Sequence, residues 1–148
     1  MEPRFESLPA FVVVGALHRG APGNGEIPGL WQANGQRLSQ LPSPQQGHFY
    51  GICDNFDSTN NVFDYVAGVA FDPEAEVPEG YVRWEVPAQN YVVFGTPVGN
   101  IRDAYHYIHS TWFPTSGKMH SGGAELEHYG PDFDEDPTMP LTIWIPIQ

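Results

Sequence analysis

Cysteine, basic side chains and long apolar runs are scarce in this sequence, and each scarcity argues against a class of protein. Cys53 is the only cysteine among 148 residues, so no internal disulfide can form, which favours a reducing compartment. Six Lys and Arg stand against eighteen Asp and Glu, for a formal net charge of -12. That charge repels nucleic acid, keeps a small protein soluble, and would attract a cation.

No apolar run is long enough to cross a bilayer, and we predict no membrane partner. The chain begins with acidic residues, Met1 to Glu6, where a signal peptide needs a basic start and an apolar stretch. We therefore expect a cytoplasmic protein. Apolar residues make up 41% of the chain, which is enough for the packed core of one domain over residues 1–148.

The sequence also lacks the common motifs for phosphate, dinucleotide and metal binding and for serine hydrolases, so we predict no cofactor. Four histidines, at 106, 109, 120 and 128, could gather around a metal, but their spacing completes no known ligand pattern. We interpret them as surface or hydrogen-bonded side chains and predict no metal. Cys53 is interpreted as a small buried hydrophobe.

Hydrophobic periodicity predicts an alternation of strands and helices. The predicted strands cover residues 11–17, 49–56, 63–71, 81–86, 91–96, 124–129 and 141–147, and the helices cover 27–41 and 99–113, the second stopped by Pro114. An acidic connector at 72–80 separates two series of elements, and an acidic loop at 131–140 precedes the last strand.

The element order indicates a duplicated fold. A strand-helix-strand-strand series occurs twice, in half-repeats of about 9–71 and 81–148. Ile27, Trp31 and Leu38 recur 74 residues later as Ile101, Tyr105 and Trp112. We predict an α+β fold of two halves related by a pseudo-two-fold, with a mainly antiparallel sheet and a ligand cleft between the halves.

Glu127 is the acid that stands apart. Strand alternation sends Leu126 to one face and Glu127 with Tyr129 to the other. If Leu126 faces the helices, Glu127 and Tyr129 face the cleft. Two interpretations remain open. Glu127 is either a solvent-exposed strand glutamate or a carboxylate among aromatic side chains whose buried charge a bound cation would compensate.

Aromatic residues supply candidate cleft walls. Tyr129 shares the face of Glu127, and Phe63 and Tyr65 share a face of their own strand. Trp112 and Trp31 belong to helical stripes, which favours the core, although Trp112 is retained as a candidate. The predicted ligand-binding set is Glu127, Tyr129, Tyr65, Tyr91, Phe63, Tyr50, Trp84 and Trp112.

Short motifs along nearly the whole chain resemble the GyrI-like, AraC-type effector-binding domains, including stand-alone members carried on integron cassettes. The matching pieces are Val14-Gly15, Leu30-Trp31, residues 50–53, 63–69, 86–94, 112–117, 126–129 and 143–147. Gln89-Asn90 departs from the family, where a small and a basic residue are commoner.

The resemblance implies the duplicated fold and a cleft between the halves that receives lipophilic cations, with an acid at Glu127 ringed by aromatics. Many members carry a DNA-binding helix-turn-helix, for which this chain has no room, so we expect a free-standing form. Some stand-alone members resemble hydrolases that use a glutamate and an aromatic residue, and others inhibit DNA gyrase by protein contact.

Three functions follow for the chain. The leading hypothesis is binding of a cationic amphipathic molecule, for drug sequestration, for sensing or as a transcriptional effector module, without catalysis. The second is a hydrolase in which Glu127 activates water. The third is an interaction protein with a partner related to transcription or gyrase.

Overall fold

The computed structural model describes residues 3–21, 25–130 and 140–148. Its strands are β1 (Arg4–Leu8), β2 (Phe11–Gly20), β3 (Phe49–Asp57), β4 (Val62–Phe71), β5 (Val82–Val86), β6 (Gln89–Pro97), β7 (Glu125–Tyr129) and β8 (Pro140–Ile147). The helices are α1 (Glu26–Ser39), α2 (Ile101–Tyr107) and α3 (Phe113–Ser116). The predicted acidic loop at 131–140 lies almost entirely outside the described residues.

One eight-stranded sheet carries both helical segments. Its order is β1-β6-β8-β7-β3-β4-β2-β5, and every pairing is antiparallel. The order is symmetric about the β3–β7 pairing, because β4 and β8, β2 and β6, and β5 and β1 follow outward in matching positions. This confirms the predicted α+β fold with its pseudo-two-fold.

The two edge strands cross over between the halves. β1 precedes β2 in the chain but pairs with β6, and β5 precedes β6 but pairs with β2. Each edge strand therefore ties its own half to the other one. β1 was not predicted from the sequence, since its five residues are mostly exposed and show no apolar alternation.

The core lies on both faces of the sheet. On the helix side, one cluster lies beneath α1 around Leu38, and another beneath α2 around Ile108. A third cluster covers the opposite face and includes Leu126. The premise that Leu126 faces the helices is therefore wrong, and it is Glu127 that projects toward the helical side.

The second helical segment changes pitch along its length. A 3-10 turn at Val98–Asn100 leads into α2, a π-helical turn follows at Ile108–Trp112, and α3 then ends at Ser116. Pro114 does not stop the helix, because it lies in the first turn of α3, where a missing N–H is tolerated. Among the described residues, no helix has the length and apolar character to cross a membrane.

Candidate ligand cleft

A cleft of about 1530 Å³ opens on the helical side of the sheet. Its floor is formed by β3, β4 and β7, and its sides by α1 and α2, so both halves of the fold contribute. The cleft spans the β3–β7 pairing, where the two halves meet. This volume exceeds what a drug-sized aromatic molecule requires.

Glu127 lies at the floor of the cleft with only 5% of its surface exposed. Three tyrosine hydroxyls donate hydrogen bonds to its carboxylate. Tyr65 and Tyr129 reach Oε1 at 2.7 and 2.9 Å, and Tyr105 reaches Oε2 at 2.8 Å. The three donors come from β4, β7 and α2, so the tertiary fold assembles this cage.

Burial raises the pKa of Glu127 above its ordinary value, although the three hydroxyl hydrogen bonds act in the opposite direction. No Lys, Arg or His among the described residues forms an ion pair with it. Burial and the nearby carboxylate also raise the pKa of Tyr65, Tyr105 and Tyr129 well above the usual tyrosine range. The hydroxyls therefore keep their protons and remain donors.

Trp31 of α1 orients this cage from the other helix. Its indole N–H donates to the Tyr65 hydroxyl oxygen at 2.9 Å, which leaves the Tyr65 proton directed at Glu127. The Trp31 ring also meets Tyr65, Tyr129 and Phe49 edge-on, with centroids 5.4 to 6.4 Å apart. The wall of the cleft is thus a connected set of aromatic rings.

A second acid, Glu125, lies two residues earlier on the same face of β7. Its Oε2 contacts His120 Nε2 at 2.9 Å and His109 Nε2 at 3.4 Å. These partners lower the pKa of Glu125 to about 2 despite its burial, and the bond to Glu125 raises the pKa of His109. Glu125 is therefore ionised at neutral pH. We call Glu125, His109 and His120 the mouth cluster.

Four of the eight predicted ligand-binding residues lie together in the cleft: Glu127, Tyr129, Tyr65 and Phe63. Three others lie on the opposite face of the sheet. Tyr91 is fully buried there against Trp144, Tyr50 bonds to Gln45, and the indole of Trp84 donates to Asp54. All three residues lie in strands, as predicted, but their side chains point away from the cleft.

Trp112 lies on the helical side but belongs to the core beneath α2. Its ring packs edge-on against Phe94, with the centroids 5.3 Å apart, and it does not line the cleft. Cys53 is half-buried and lines the cleft, where burial and Glu127 raise its thiol pKa. Cys53 also packs against the apolar cluster beneath α1, as expected for a small hydrophobe.

Sequence reasoning missed Trp31 and Tyr105 as cleft residues because both fall on apolar helical stripes. The repeat itself held a usable signal: the two residues occupy equivalent positions, 74 residues apart, in the two half-repeats. The same offset relates Cys53 to Glu127 on the central strands. Matching polar-tipped aromatics at equivalent positions would have indicated that both helices face one site.

The chain is similar to a known transcriptional regulator over nearly its whole length. The transcriptional regulator BrlR of Pseudomonas aeruginosa is 33% identical over 153 aligned positions, which cover 99% of this chain and 56% of the regulator. The chain thus spans little more than half of that relative's length.

Solved structures with low sequence identity share the fold. SAV2435, in a structure bound to tetraphenylphosphonium, matches all of this chain and 94% of its own, with a TM-score of 0.79 and 19% identity. The integron cassette protein VCH_CASS2 of Vibrio cholerae matches 99% of this chain and 95% of its own, with a TM-score of 0.67 and 17% identity. The family model for Cass2, the integron-associated effector binding protein, matches residues 4–147, and the chain belongs to that effector-binding family.

Proposed function

We propose that this chain binds a lipophilic aromatic cation in the cleft, with Glu127 as its electrostatic anchor. The observation that carries the proposal is a buried carboxylate, enclosed by aromatic rings, that has no cationic partner among the described residues. A buried charge without a counter-charge is costly, and a bound cation would offset that cost.

The cage suits a cation that is large and delocalised. Three hydroxyl donors already occupy the carboxylate, so a ligand that competes for hydrogen bonds gains little. A cation over the surrounding ring faces gains about 0.5 to 2 kcal/mol for each favourable contact. The rings of Trp31, Tyr65 and Tyr129 also offer apolar surface to aromatic substituents.

Relatives supply a biological setting for this binding. SAV2435 is described with tetraphenylphosphonium, a lipophilic aromatic cation, and BrlR is a transcriptional regulator longer than this chain. We propose that the chain acts in the cytoplasm as an effector-binding unit that senses or sequesters such cations.

The test compares two probes of the same shape and opposite charge, tetraphenylphosphonium and tetraphenylborate, by calorimetry. The wild-type protein should bind the cation and discriminate against the anion. Glu127→Gln should weaken cation binding about tenfold or more, because the cation loses its Coulombic attraction to a buried carboxylate, and about 1.4 kcal/mol corresponds to a tenfold change in affinity. Glu85→Gln removes the same charge from the exposed face of β5 and is the matched control.

Unchanged cation affinity in a folded Glu127→Gln protein would contradict the role of Glu127 as the anchor. If neither probe bound to the wild-type protein, an interaction protein that needs no cleft would be favoured. Ligand recovery separates binding from catalysis. Mass spectrometry after prolonged incubation with an electrophilic aromatic ligand should return the ligand intact. A water adduct that requires Glu127 would instead identify a hydrolase.

A further inference from the structure

The mouth cluster contains a second carboxylate, Glu125, that has no part in the proposed anchoring of a cation by Glu127. Glu125 and Glu127 project from the same face of β7, so two residues of extended strand, about 7 Å, separate them. Both acids line the cleft, and Glu125 keeps 19% of its side chain exposed. The cleft therefore presents two carboxylates in line, one enclosed and one nearer to solvent.

The two histidines of the mouth cluster play different parts. His120 Nδ1 accepts the backbone N–H of Gly122 at 2.8 Å, so this nitrogen bears no proton and Nε2 donates to Glu125. Two hydrogen bonds therefore fix the orientation of His120. His109 contacts Glu125 at the longer distance of 3.4 Å, and 46% of its side chain is exposed, so a ligand can reach this partner more easily than His120.

Charged and titratable groups face the cleft from α2, from the loop before β7 and from three strands. Among the described residues, the charged or titratable side chains lining the cleft are Arg102, Tyr105 and His109 on the α2 side, His120 in the loop before β7, Cys53 and Asp54 on β3, Tyr65 on β4, and Glu125, Glu127 and Tyr129 on β7. Two of these groups, His109 and His120, pair with Glu125, and His109 is the more exposed of the two.

Resting on the proposed function, we propose that Glu125 is a second anionic subsite at the mouth of the cleft. It selects elongated aromatic dications, whose second charged group takes the place of His109 against the Glu125 carboxylate. The first charge lies at the Glu127 cage, and an aromatic spacer of about 7 Å joins the two charges along the rings between them.

Because the second charge of the ligand displaces His109, the preference of the cleft for dications should depend on pH. When His109 is protonated, it neutralises Glu125 and competes with the second charge of the ligand. Binding of a dication must then release the His109 proton or expel the charged ring from the pair. The preference for dications should therefore grow as the pH rises through the titration of His109.

The test uses benzyltriphenylphosphonium and its p-xylylene bis-phosphonium analogue as probes on the full chain. The bis-cation should bind about fivefold or more tightly than the monocation at pH 8, and the preference should shrink at pH 6. Calorimetry at pH 6 to 7, in buffers of different ionisation enthalpy, should detect more protons released by the bis-cation than by the monocation.

Two variants make the test specific. Glu125→Gln should remove the bis-cation preference, because the bis-cation should lose more affinity than the monocation. His109→Gln, at a half-exposed position, should retain the preference and abolish its pH dependence and the extra proton release. Monocation binding without any bis-cation preference, or equal losses for both probes in Glu125→Gln, would overturn this inference alone. Failure of both probes to bind would overturn the proposed function as well.

Discussion

Gly51 lies directly opposite Glu127 in the register between β3 and β7, and its missing side chain lets Tyr65 reach that carboxylate. A Cβ at residue 51 would collide with the Tyr65 hydroxyl and would lie 2.7 Å from Glu127 Oε1. Tyr65 extends from β4 across β3 to reach the carboxylate on β7. The hydrogen-bonded cage therefore depends on a strand position that carries no side chain.

Gly51→Ala should displace the Tyr65 hydroxyl and remove one of the three donors to Glu127. We expect tetraphenylphosphonium affinity to fall about tenfold, and the free energy of unfolding to drop by about 1 to 3 kcal/mol because of overpacking. Calorimetry and denaturant melts measure the two effects. Gly95→Ala is the control, since a Cβ at this exposed strand position meets no atom within 4 Å. Equal behaviour of the two variants would contradict the role of Gly51.

Affinity for a monocation should depend on pH through Glu127. Burial raises the pKa of this acid above 4.5, so protonation begins to remove the anchor at a higher pH than for an exposed glutamate. Tetraphenylphosphonium binding should weaken as the pH falls, by at most about tenfold per pH unit below the pKa of Glu127. Titrations at pH 5 to 8 measure the change. Glu127→Gln should show a flat profile over the same range, and a wild-type profile equally flat would rule out titration of the anchor.

The Glu125–His109 ion pair should stabilise the free protein within a limited pH window. The folded pKa of Glu125 is about 2 against 4.5, so its contribution is present above pH 4.5 and is lost as the pH falls toward 2. The pKa of His109 is raised above 6.5, so its contribution is present below pH 6.5 and is lost as the pH rises through the folded value. The coupling should therefore be greatest between pH 4.5 and 6.5.

A double-mutant cycle with Glu125→Gln and His109→Gln measures this coupling from thermal or denaturant unfolding. Both side chains are partly exposed, so solvent screening limits the expected coupling to about 0.5 to 1 kcal/mol at pH 5.5. It should approach zero at pH 9. A coupling that is the same at both pH values would show that the contact is not an ion pair.

Trp31→Phe should loosen the cage from the side of α1. The change deletes the indole N–H that donates to Tyr65 and reduces the ring contacts with Tyr129. We expect a several-fold loss of tetraphenylphosphonium affinity and about 1 to 3 kcal/mol less stability. Trp144→Phe is the control, because the Trp144 indole donates to Thr142 away from the cleft. Similar affinity losses in both variants would indicate a general packing effect.

Local patterns in the sequence determined the order of elements from β2 onward and placed Glu127 with Tyr129 on one strand face, because both follow from strand and helix periodicity. The prediction of a mainly antiparallel sheet rested on the repeated order of elements. Phe63 and Tyr65 could be placed on a common strand face for the same reason. The periodicity does not state which face of each strand the helices cover. The sequence analysis predicts three cleft residues whose side chains lie instead on the opposite face of the sheet: Tyr91, Tyr50 and Trp84.

Only the tertiary structure decided what surrounds the carboxylate. The three donors to Glu127 come from separate elements, and Trp31 reaches Tyr65 from a fourth, so no short stretch of sequence contains the cage. The crossed edge strands and the pairing of Glu125 with His109 likewise join residues distant in the chain. Periodicity reports how a side chain is directed relative to its own element, whereas a binding site depends on how the elements pack against one another.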